Sequence, residues 1–141
     1  MDRPALSGDR GGLVHLRARE LSTLSQKWKE IEKWHSIVTP RSVIRVSRGN
    51  FDPKRFAEVE KMTRETGVYL TPKIKELSGL YGYFAAASPS GSMVHVSLWE
   101  SDDAANQMGN LKEMIVDARR DAEAVGVQFT PIVNYPIAWR I

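Results

Sequence analysis

Two apolar runs and the turn between them decide the fold: residues 80–101 read LYGYFAAASPSGSMVHVSLWES. The runs at 80–87 and 93–99 carry the aromatic and β-branched residues that strands favour. Between them, the Ser-Pro-Ser-Gly sequence at 88–91 has typical turn chemistry, so the stretch predicts a β-hairpin. Ser101 follows at once and predicts a helix N-cap, because its hydroxyl can accept a hydrogen bond from a free N–H of the first turn.

The residues before the hairpin predict one strand and one helix. Residues 43–47 read Val-Ile-Arg-Val-Ser and predict a strand. Asp52-Pro53 predicts a helix start, since aspartate is a good N-cap and proline has its backbone angle preset for the first helical position. We expect this helix to fade near Gly67 and the chain to be interrupted at Thr71-Pro72, because the residue before proline avoids the helical conformation.

The residues after the hairpin predict a second helix and a last strand. The helix starts at Ser101, restarts after Gly109 through a variant capping box of Asn110 and Glu113, and ends at Gly126. Residues 137–141 are expected to form the last strand. The apolar spacing of the helix predicts a buried face made of Leu111, Met114, Ile115, Ala118, Ala122 and Val125.

The resulting order is strand, helix, strand, strand, helix, strand, which predicts a ferredoxin-like α+β domain with an antiparallel sheet and both helices on one face. The other face of the sheet then has no helix to cover it. Alternation places Tyr81, Tyr83, His95 and Ser97, or their neighbours, on that face. Because large aromatic residues are rarely left exposed together, we expect a second copy of the chain to cover the face. A homodimer is therefore predicted.

The first part of the chain is predicted to be a region separate from the domain. We assign residues 1–42 to a tail and an amphipathic helix, the latter from Leu13 to about His35, and residues 43–141 to the folded domain. The first 41 residues hold eight Lys/Arg and five Asp/Glu, whereas the other hundred hold twelve of each. The net charge of +3 therefore belongs to the extension. A nucleic-acid groove would need a basic face on the domain, so no nucleic-acid partner is expected.

Composition also bears on location. The sequence has 141 residues, 42% of them hydrophobic, and no cysteine. No apolar run approaches the roughly 18 residues of a membrane span, so we expect no membrane association. The residues after Met1 lack the apolar stretch of a secretory signal. With no disulfide to form, we expect a cytoplasmic protein.

Two segments resemble a known family. Residues 77–83, Leu-Ser-Gly-Leu-Tyr-Gly-Tyr, and residues 94–104, Val-His-Val-Ser-Leu-Trp-Glu-Ser-Asp-Asp-Ala, are similar to the antibiotic-biosynthesis monooxygenase-like group of the dimeric α/β-barrel superfamily. The resemblance covers about the last hundred residues. It implies a homodimer with a small apolar cavity between the sheet and the helices of each subunit. The haem-degrading branch has an asparagine on its first strand and a histidine on its second helix; here the predicted first strand has no asparagine, since Asn50 lies just past its end, and the predicted second helix has no histidine.

Two alternative functions are open, the first implied by the resemblance and the second favoured by the lack of a recognisable acid/base pair. The first is a cofactor-independent monooxygenase that acts on a small aromatic or quinol-type molecule and requires neither metal nor flavin. The second is a dimeric module that binds a small hydrophobic or aromatic ligand, or acts in a stress response, without turnover. The sequence has no metal-binding spacing and no glycine-rich phosphate loop. Neither a cofactor nor a metal is therefore expected.

His95 and Trp99 are the candidate catalytic residues. Cofactor-free oxygenation requires a base that forms the substrate anion and donors that stabilise it. His95 is the only histidine of the domain and the natural base, and its other reading is a half-buried strand residue at the dimer face. Trp99 could stack on a planar ligand and donate its indole N–H, or it could serve as a packing anchor.

Four further residues are candidates for ligand binding. Tyr83 shares a strand with Tyr81, and the two either line the cavity or build the dimer interface. Asn106 and Met108 lie on the second helix, where this fold places pocket residues, although Asn106 could equally face solvent. Tyr69 lies near the expected break after the first helix and is a candidate for the cavity mouth.

Overall fold

The computed structural model of the chain describes residues 20–27 and 38–141. Two compact units are present, residues 1–37 and residues 38–141. In the first unit, residues 20–27 are helical, and Leu21 and Leu24 are exposed. The other residues of the expected amphipathic helix lie outside the described part of the chain.

The second unit is an α+β domain in which a five-stranded antiparallel sheet packs against helices. Short 3₁₀ turns at Pro53–Arg55 and Gln107–Asn110 accompany the main elements. In chain order, those elements are β1 (Val43–Asn50), α1 (Phe56–Lys75), β2 (Leu80–Ser88), β3 (Ser92–Trp99), α2 (Asp102–Asn106), a π-helical turn (Glu113–Ala118), α3 (Arg119–Ala124), β4 (Gln128–Phe129) and β5 (Val133–Pro136). The predicted ferredoxin-like fold is confirmed.

The local signals around the hairpin are confirmed. Strands β2 and β3 pair from Leu80↔Trp99 to Ser88↔Ser92, with a bulge between Leu80 and Gly82. Gly91 has φ +97°, a left-handed conformation that a side chain would strain, which explains glycine at the turn. The hydroxyl of Ser101 accepts a hydrogen bond from Ala104 N at 3.2 Å and caps α2.

The first helix differs from the prediction. It has no break at Thr71-Pro72 and continues to Lys75 with Pro72 inside it. A proline within a helix costs about 3 kcal/mol through its lost hydrogen bond and the clash of its ring. Leu70 and Ile74, on either side of Pro72, are both buried, and burying each of them stabilises the fold by roughly 1.5–3 kcal/mol. Core packing therefore outweighs the local preference of the proline.

The last strand also differs from the prediction. Residues 137–141 form no strand, and Trp139 and Ile141 are exposed. Instead β4 and β5 pair in succession with one edge of β1, the former at Gly49–Asn50 and the latter at Val43–Val46. Proline has no backbone N–H to donate to a neighbouring strand, so it is typical of strand ends and interruptions. Pro131 accordingly falls in the gap between β4 and β5.

Of the alternatives that the prediction left open for the uncovered face, the structure places Tyr83, His95 and Ser97 on the helix-facing side and their neighbours on the uncovered side. Trp99 and Met93 on β3 are buried in the core, so alternation places His95 and Ser97 on the same, helix-facing side. Tyr83 pairs with Ser97 and packs against the core as well. None of the three lies on the uncovered face, because their polar groups find hydrogen-bond partners beneath the helices.

The uncovered face is apolar. Phe84 of β2 is 71% exposed, and Val133 and Tyr135 of β5 are 41% and 47% exposed. The register places these three in one layer with the alternate residues of β1 and β3, which are Ile44, Val46, Val94, Val96, Leu98 and, as the one charged residue among them, Arg48. No described helix packs on this layer, and none of the described helices is long and apolar enough to cross a bilayer.

The second helical region restarts after Gly109 as predicted, but without the predicted capping box. Leu111 leaves the helical conformation, with ψ 105°, and its carbonyl oxygen accepts hydrogen bonds from the N–H groups of Met114 and Ile115. No side chain of Asn110 caps the restart. The chain then forms a π-helical turn, which fits one extra residue into the helix. As a result Ile115, predicted to be buried, is 46% exposed.

Two groups of buried residues form the core between the sheet and the helices. Trp99, Leu70 and Ile74 belong to the group at one end, whereas Val59 and Met93 belong to the group at the other. Polar side chains of β1 and β3 occupy the sheet between these groups.

Candidate functional site

A cavity of about 400 Å³ lies between the sheet and the helices. Its floor is made by Ser47 of β1 and by Met93 and His95 of β3. These residues meet because β1 and β3 are paired, with Ser47 opposite His95. The cavity therefore begins in the middle of the sheet, where two central strands hold its floor rigid.

The helices form the walls of the cavity. Met62 and Thr66 come from α1, and Met114 and Ala118 come from the π-helical turn. Thr66 is buried, and its hydroxyl donates to Thr63 O at 3.1 Å, which leaves mainly apolar atoms to line this wall. Since π-helical turns occur often at functional sites, their position on this wall supports a role for the cavity.

The rim of the cavity is formed by the segment that follows β4 and by residues of the second helical region. Phe129 ends β4, and residues 130–132 connect β4 to β5 and line the opening together with Ile115. Thr130 N still donates to Arg48 O of β1 at 3.0 Å. Arg119, the first residue of α3, lies at the same rim, with its Cζ atom 5.8 Å from the centroid of the Phe129 ring. The irregular segment thus separates β4 from β5 along the edge of β1 and borders the opening of the cavity.

His95 on the floor forms a close pair with Tyr83. The Tyr83 hydroxyl lies 2.6 Å from His95 Nδ1, and the two rings meet edge to face at 5.6 Å between centroids. Two neutral tautomers fit this contact. Either the phenol donates to Nδ1 and the imidazole proton is on Nε2, or Nδ1–H donates to the phenol oxygen and Nε2 is a free acceptor. In both cases Nε2 is the nitrogen left for a ligand.

Burial determines the charge of this pair. It lowers the pKa of His95 to about 4, because the imidazolium ion loses its hydration there. Burial likewise raises the pKa of Tyr83, an effect that the positive charge of Arg45 partly opposes. Both side chains are therefore neutral at pH 7, and the floor of the cavity can present a hydrogen-bond donor or acceptor but holds no charge.

Arg45 lies beside this pair in the sheet. It pairs with Ser97 across the ladder, and Ser97 pairs with Tyr83. Burial lowers the pKa of Arg45 from its usual value, and its Nη1 donates to Asn134 Oδ1 at 3.3 Å. Arg45 does not line the cavity; it supplies a positive field near the Tyr83 hydroxyl.

Trp99 and Met108, predicted as site residues, lie in the core. Trp99 is fully buried, and its indole N–H donates to Ser97 Oγ at 2.7 Å. Met108 is 3% exposed and packs in the same group of core residues. Neither lines the cavity. The structure therefore brings His95 and Tyr83 together and separates Trp99 and Met108 from them.

Tyr69 and Asn106 also lie away from the cavity lining. The Tyr69 hydroxyl donates to Asp121 Oδ2 at 2.8 Å and links α1 to α3. Burial and this contact raise the pKa of Tyr69, whereas the Tyr69 hydrogen bond lowers that of Asp121. Asn106 is exposed and accepts a hydrogen bond from Asn134 Nδ2 at 3.0 Å, which holds β5 near α2.

Sequence reasoning missed the residues of the rim. Arg119 appears in the sequence as one of several charged residues on an amphipathic helix, with no local feature that marks it. Residues 129–132 read Phe-Thr-Pro-Ile, and the proline within an apolar run was the one signal that the strand is interrupted there. Among the described residues, no group of three or more His, Asp or Glu side chains is arranged to hold a metal ion.

Comparison with known proteins gives matches by structure. No family model matches the sequence, and no curated protein matches it. A monooxygenase from the gene ActVA-Orf6 of Streptomyces coelicolor, solved in complex with the ligand nanaomycin D, is similar with a TM-score of 0.56 and 19% identity. The match covers 74% of this chain and 96% of that one.

A second similar structure is a variant of SnoaB, a cofactor-independent oxygenase from Streptomyces nogalater. The TM-score is 0.53 at 14% identity, and the match covers 72% of this chain and 97% of the other. At such identities the likeness concerns the fold. The resemblance found in the sequence is thus supported by the structure: residues 38–141 have the ferredoxin-like fold of antibiotic-biosynthesis monooxygenase-like proteins.

Proposed function

We propose that this protein is a cofactor-independent monooxygenase that acts on a small aromatic or quinol-type molecule in the cavity. The observation that carries the proposal is the position of His95, which is hydrogen-bonded to Tyr83 on the floor of a mainly apolar cavity. The shared fold with two oxygenases supports it. An apolar cleft with a few polar groups at one end suits a flat ring that carries a hydroxyl or carbonyl.

The proposed reaction uses dioxygen as the oxidant and the substrate as the reductant. Removal of a proton from an activated ring CH₂ gives a carbanion, stabilised as a phenolate or enolate. Its electrons pass to dioxygen and a C–O bond forms, which gives a hydroperoxide after protonation. The O–O bond then breaks, the second hydrogen of the CH₂ group leaves as a proton, and the products are a ring carbonyl and water.

His95 is assigned the proton transfer in this scheme. In the tautomer whose Nδ1–H donates to Tyr83, Nε2 is a free acceptor and takes the substrate proton. The low pKa of His95 keeps the ring unprotonated and available at neutral pH. Burial disfavours the imidazolium that forms, but the new substrate anion beside it opposes that penalty. The protonated ring can then donate to the peroxide oxygen.

Dioxygen uptake tests the proposal. The full chain is mixed with anthrone, which carries the ring CH₂ that the proposed reaction oxidises, and uptake is compared with anthrone in buffer. We expect faster uptake with the protein and a loss of about 10²-fold or more in His95→Gln, since general base catalysis contributes 10²–10⁴-fold. Uptake that never exceeds the buffer rate, or that is unchanged in His95→Gln, would contradict the enzyme.

A non-catalytic module that binds small aromatic ligands is the second candidate. One observation favours it: the described cavity lining contains no carboxylate, so His95 has no acidic partner there. In this case aromatic molecules would raise the melting temperature of the protein, and mass spectrometry would detect no product. The two candidates share the cavity and differ in turnover alone.

We also propose that the protein is a homodimer whose copies meet through the uncovered face of the sheet. The exposed side chains of Phe84, Val133 and Tyr135 support this, since an apolar layer of this kind is typical of an interface. A cytoplasmic location is part of the same proposal and is supported by the cysteine-free sequence.

A further inference from the structure

The rim of the cavity carries a charged side chain that the proposed reaction does not use. Arg119 is the one charged residue in the described lining of the cavity. Its guanidinium is held from two sides, by a 3.0 Å contact between Nε and Glu123 Oε1 and by the ring of Phe129. Both Arg119 and Glu123 are more than half exposed, so their ion pair contributes little to stability.

The guanidinium retains donors for a ligand. The contact with Glu123 uses Nε, and neither Nη atom of Arg119 has a hydrogen-bond partner in the described part of the chain. These terminal N–H groups lie in one plane, and such a fork matches the two oxygens of a carboxylate. The Phe129 ring limits the movement of the guanidinium, so less freedom is lost when it binds.

The interior of the cavity lacks any charge that could compete with Arg119. Apart from apolar side chains, the described lining offers the hydroxyl-bearing Ser47, Thr66 and Thr130, and the neutral His95. A carboxylate placed deep in the cavity would lose its hydration without gaining a counter-charge, which is unfavourable. A carboxylate that stays at the rim would keep part of its hydration and contact Arg119.

We propose that Arg119 determines specificity by selecting aromatic carboxylates, with the ring in the cavity and the carboxylate at the rim. This inference rests on the proposed function, because it requires that the cavity accept small aromatic molecules. It adds that the substrate carries a negative charge and that its carboxylate is oriented towards the rim. The end of the ring system opposite the carboxylate would face His95, where the proposed oxidation takes place.

Calorimetric titration of the full chain with 2-naphthoate and with its uncharged analogue 2-naphthamide tests the proposal. We expect naphthoate to bind about tenfold more tightly, a difference of about 1.4 kcal/mol, and the preference to shrink as salt is added. Arg119→Gln should make the two affinities equal without weakening naphthamide. Arg119→Lys should keep part of the preference, since lysine retains the charge but not the fork.

Two further variants sharpen the test. Glu123→Gln removes the carboxylate that competes for Arg119 and should tighten naphthoate binding. Arg120→Gln is the matched control, because Arg120 is the next residue along, pairs with Asp117 and Asp121, and does not line the cavity. It should leave the preference for naphthoate unchanged.

The outcomes separate this inference from the function on which it rests. Equal binding of both ligands to the wild type, or a preference that survives in Arg119→Gln, overturns the role of Arg119 while the cavity remains an aromatic site. If neither ligand binds to the wild type, both the role of Arg119 and the aromatic site are overturned.

Discussion

The hydroxyl oxygen of Tyr83 and Nδ1 of His95 lie 2.6 Å apart between two neighbouring strands beneath the helices, and His95 lines the floor of the cavity whereas Tyr83 does not. Ala85 is the direct cross-strand partner of His95, so Tyr83 reaches the imidazole diagonally, a distance that long aromatic side chains can span. The contact fixes the orientation of the ring and leaves Nε2 for other partners. Tyr83 is therefore a positioning residue in the proposed reaction.

Removing the Tyr83 hydroxyl should destabilise the fold. Tyr83→Phe leaves His95 Nδ1 without its partner in a buried place, and such a loss costs about 1–3 kcal/mol of unfolding free energy. Urea denaturation measures the difference. Tyr81→Phe is the control, because the Tyr81 hydroxyl has no hydrogen-bond partner among the described residues, whereas that of Tyr83 contacts His95, and it should change the unfolding free energy by less than about 0.5 kcal/mol. Equal effects in the two variants would contradict the importance of the Tyr83–His95 contact.

His95 should make the fold sensitive to acid. Its folded-state pKa of about 4 lies below the ordinary value of 6.5, so between these values the unfolded chain binds the proton more readily. Stability is therefore complete above pH 6.5 and falls as the pH drops towards 4. From pH 7 to pH 5 the contribution of His95 is a loss of about 2 kcal/mol. His95→Gln should show a correspondingly smaller loss in urea denaturation at the two pH values.

NMR titration of the His95 ring measures its pKa directly. A midpoint near pH 4 is expected in the folded wild type. A midpoint near 6.5 would mean that the imidazole is hydrated and would remove the basis for the acid sensitivity.

A charge on the uncovered face should separate the proposed dimer. In Phe84→Glu two like charges would be buried at the interface, which is strongly unfavourable. Light scattering after size-exclusion chromatography should then give the mass of one chain instead of two. Val68→Glu is a matched control, since Val68 is 77% exposed on α1, away from the sheet face, and should leave the mass unchanged. A wild-type mass of one chain, or a dimer that persists in Phe84→Glu, would refute this interface.

Replacing the proline inside α1 should stabilise the protein. Pro72→Ala restores a backbone donor and removes the ring clash, which together cost up to about 3 kcal/mol, although the unfolded chain becomes more flexible. A net gain of roughly 1–2 kcal/mol in unfolding free energy is expected from chemical denaturation. Thr71→Ala serves as the comparison, as it changes the neighbouring exposed residue without altering the backbone. No gain in Pro72→Ala would indicate that α1 is already distorted around the proline.

Local signals predicted the fold well where the structure depends on neighbouring residues. The hairpin, the cap at Ser101 and the helix end at Gly126 are confirmed, because each is set by contacts within a few residues. Contacts between residues far apart in sequence decided the features that were predicted wrongly. Pro72 stays helical through the burial of residues on either side, and the last strands depend on pairing with the edge of β1.

The site was predictable in part. His95, which lines its floor, and Tyr83, which contacts His95, stood out by residue type, yet alternation left their side of the sheet open. In the structure their polar groups satisfy each other beneath the helices, a contact that alternation alone could not reveal. The rim was missed, because Arg119 and the segment 129–132 come together only after β4 pairs with β1.

Isotopically heavy dioxygen gives the most direct test of the central claim, that the cavity is a site of cofactor-free oxygenation. Anthrone is incubated with the protein under labelled dioxygen, and the product is analysed by mass spectrometry. We predict that one labelled oxygen atom enters the new carbonyl, at a rate well above that without protein and at least about 10²-fold lower in His95→Gln. Labelled product that forms no faster with the wild-type protein than in buffer would contradict the claim.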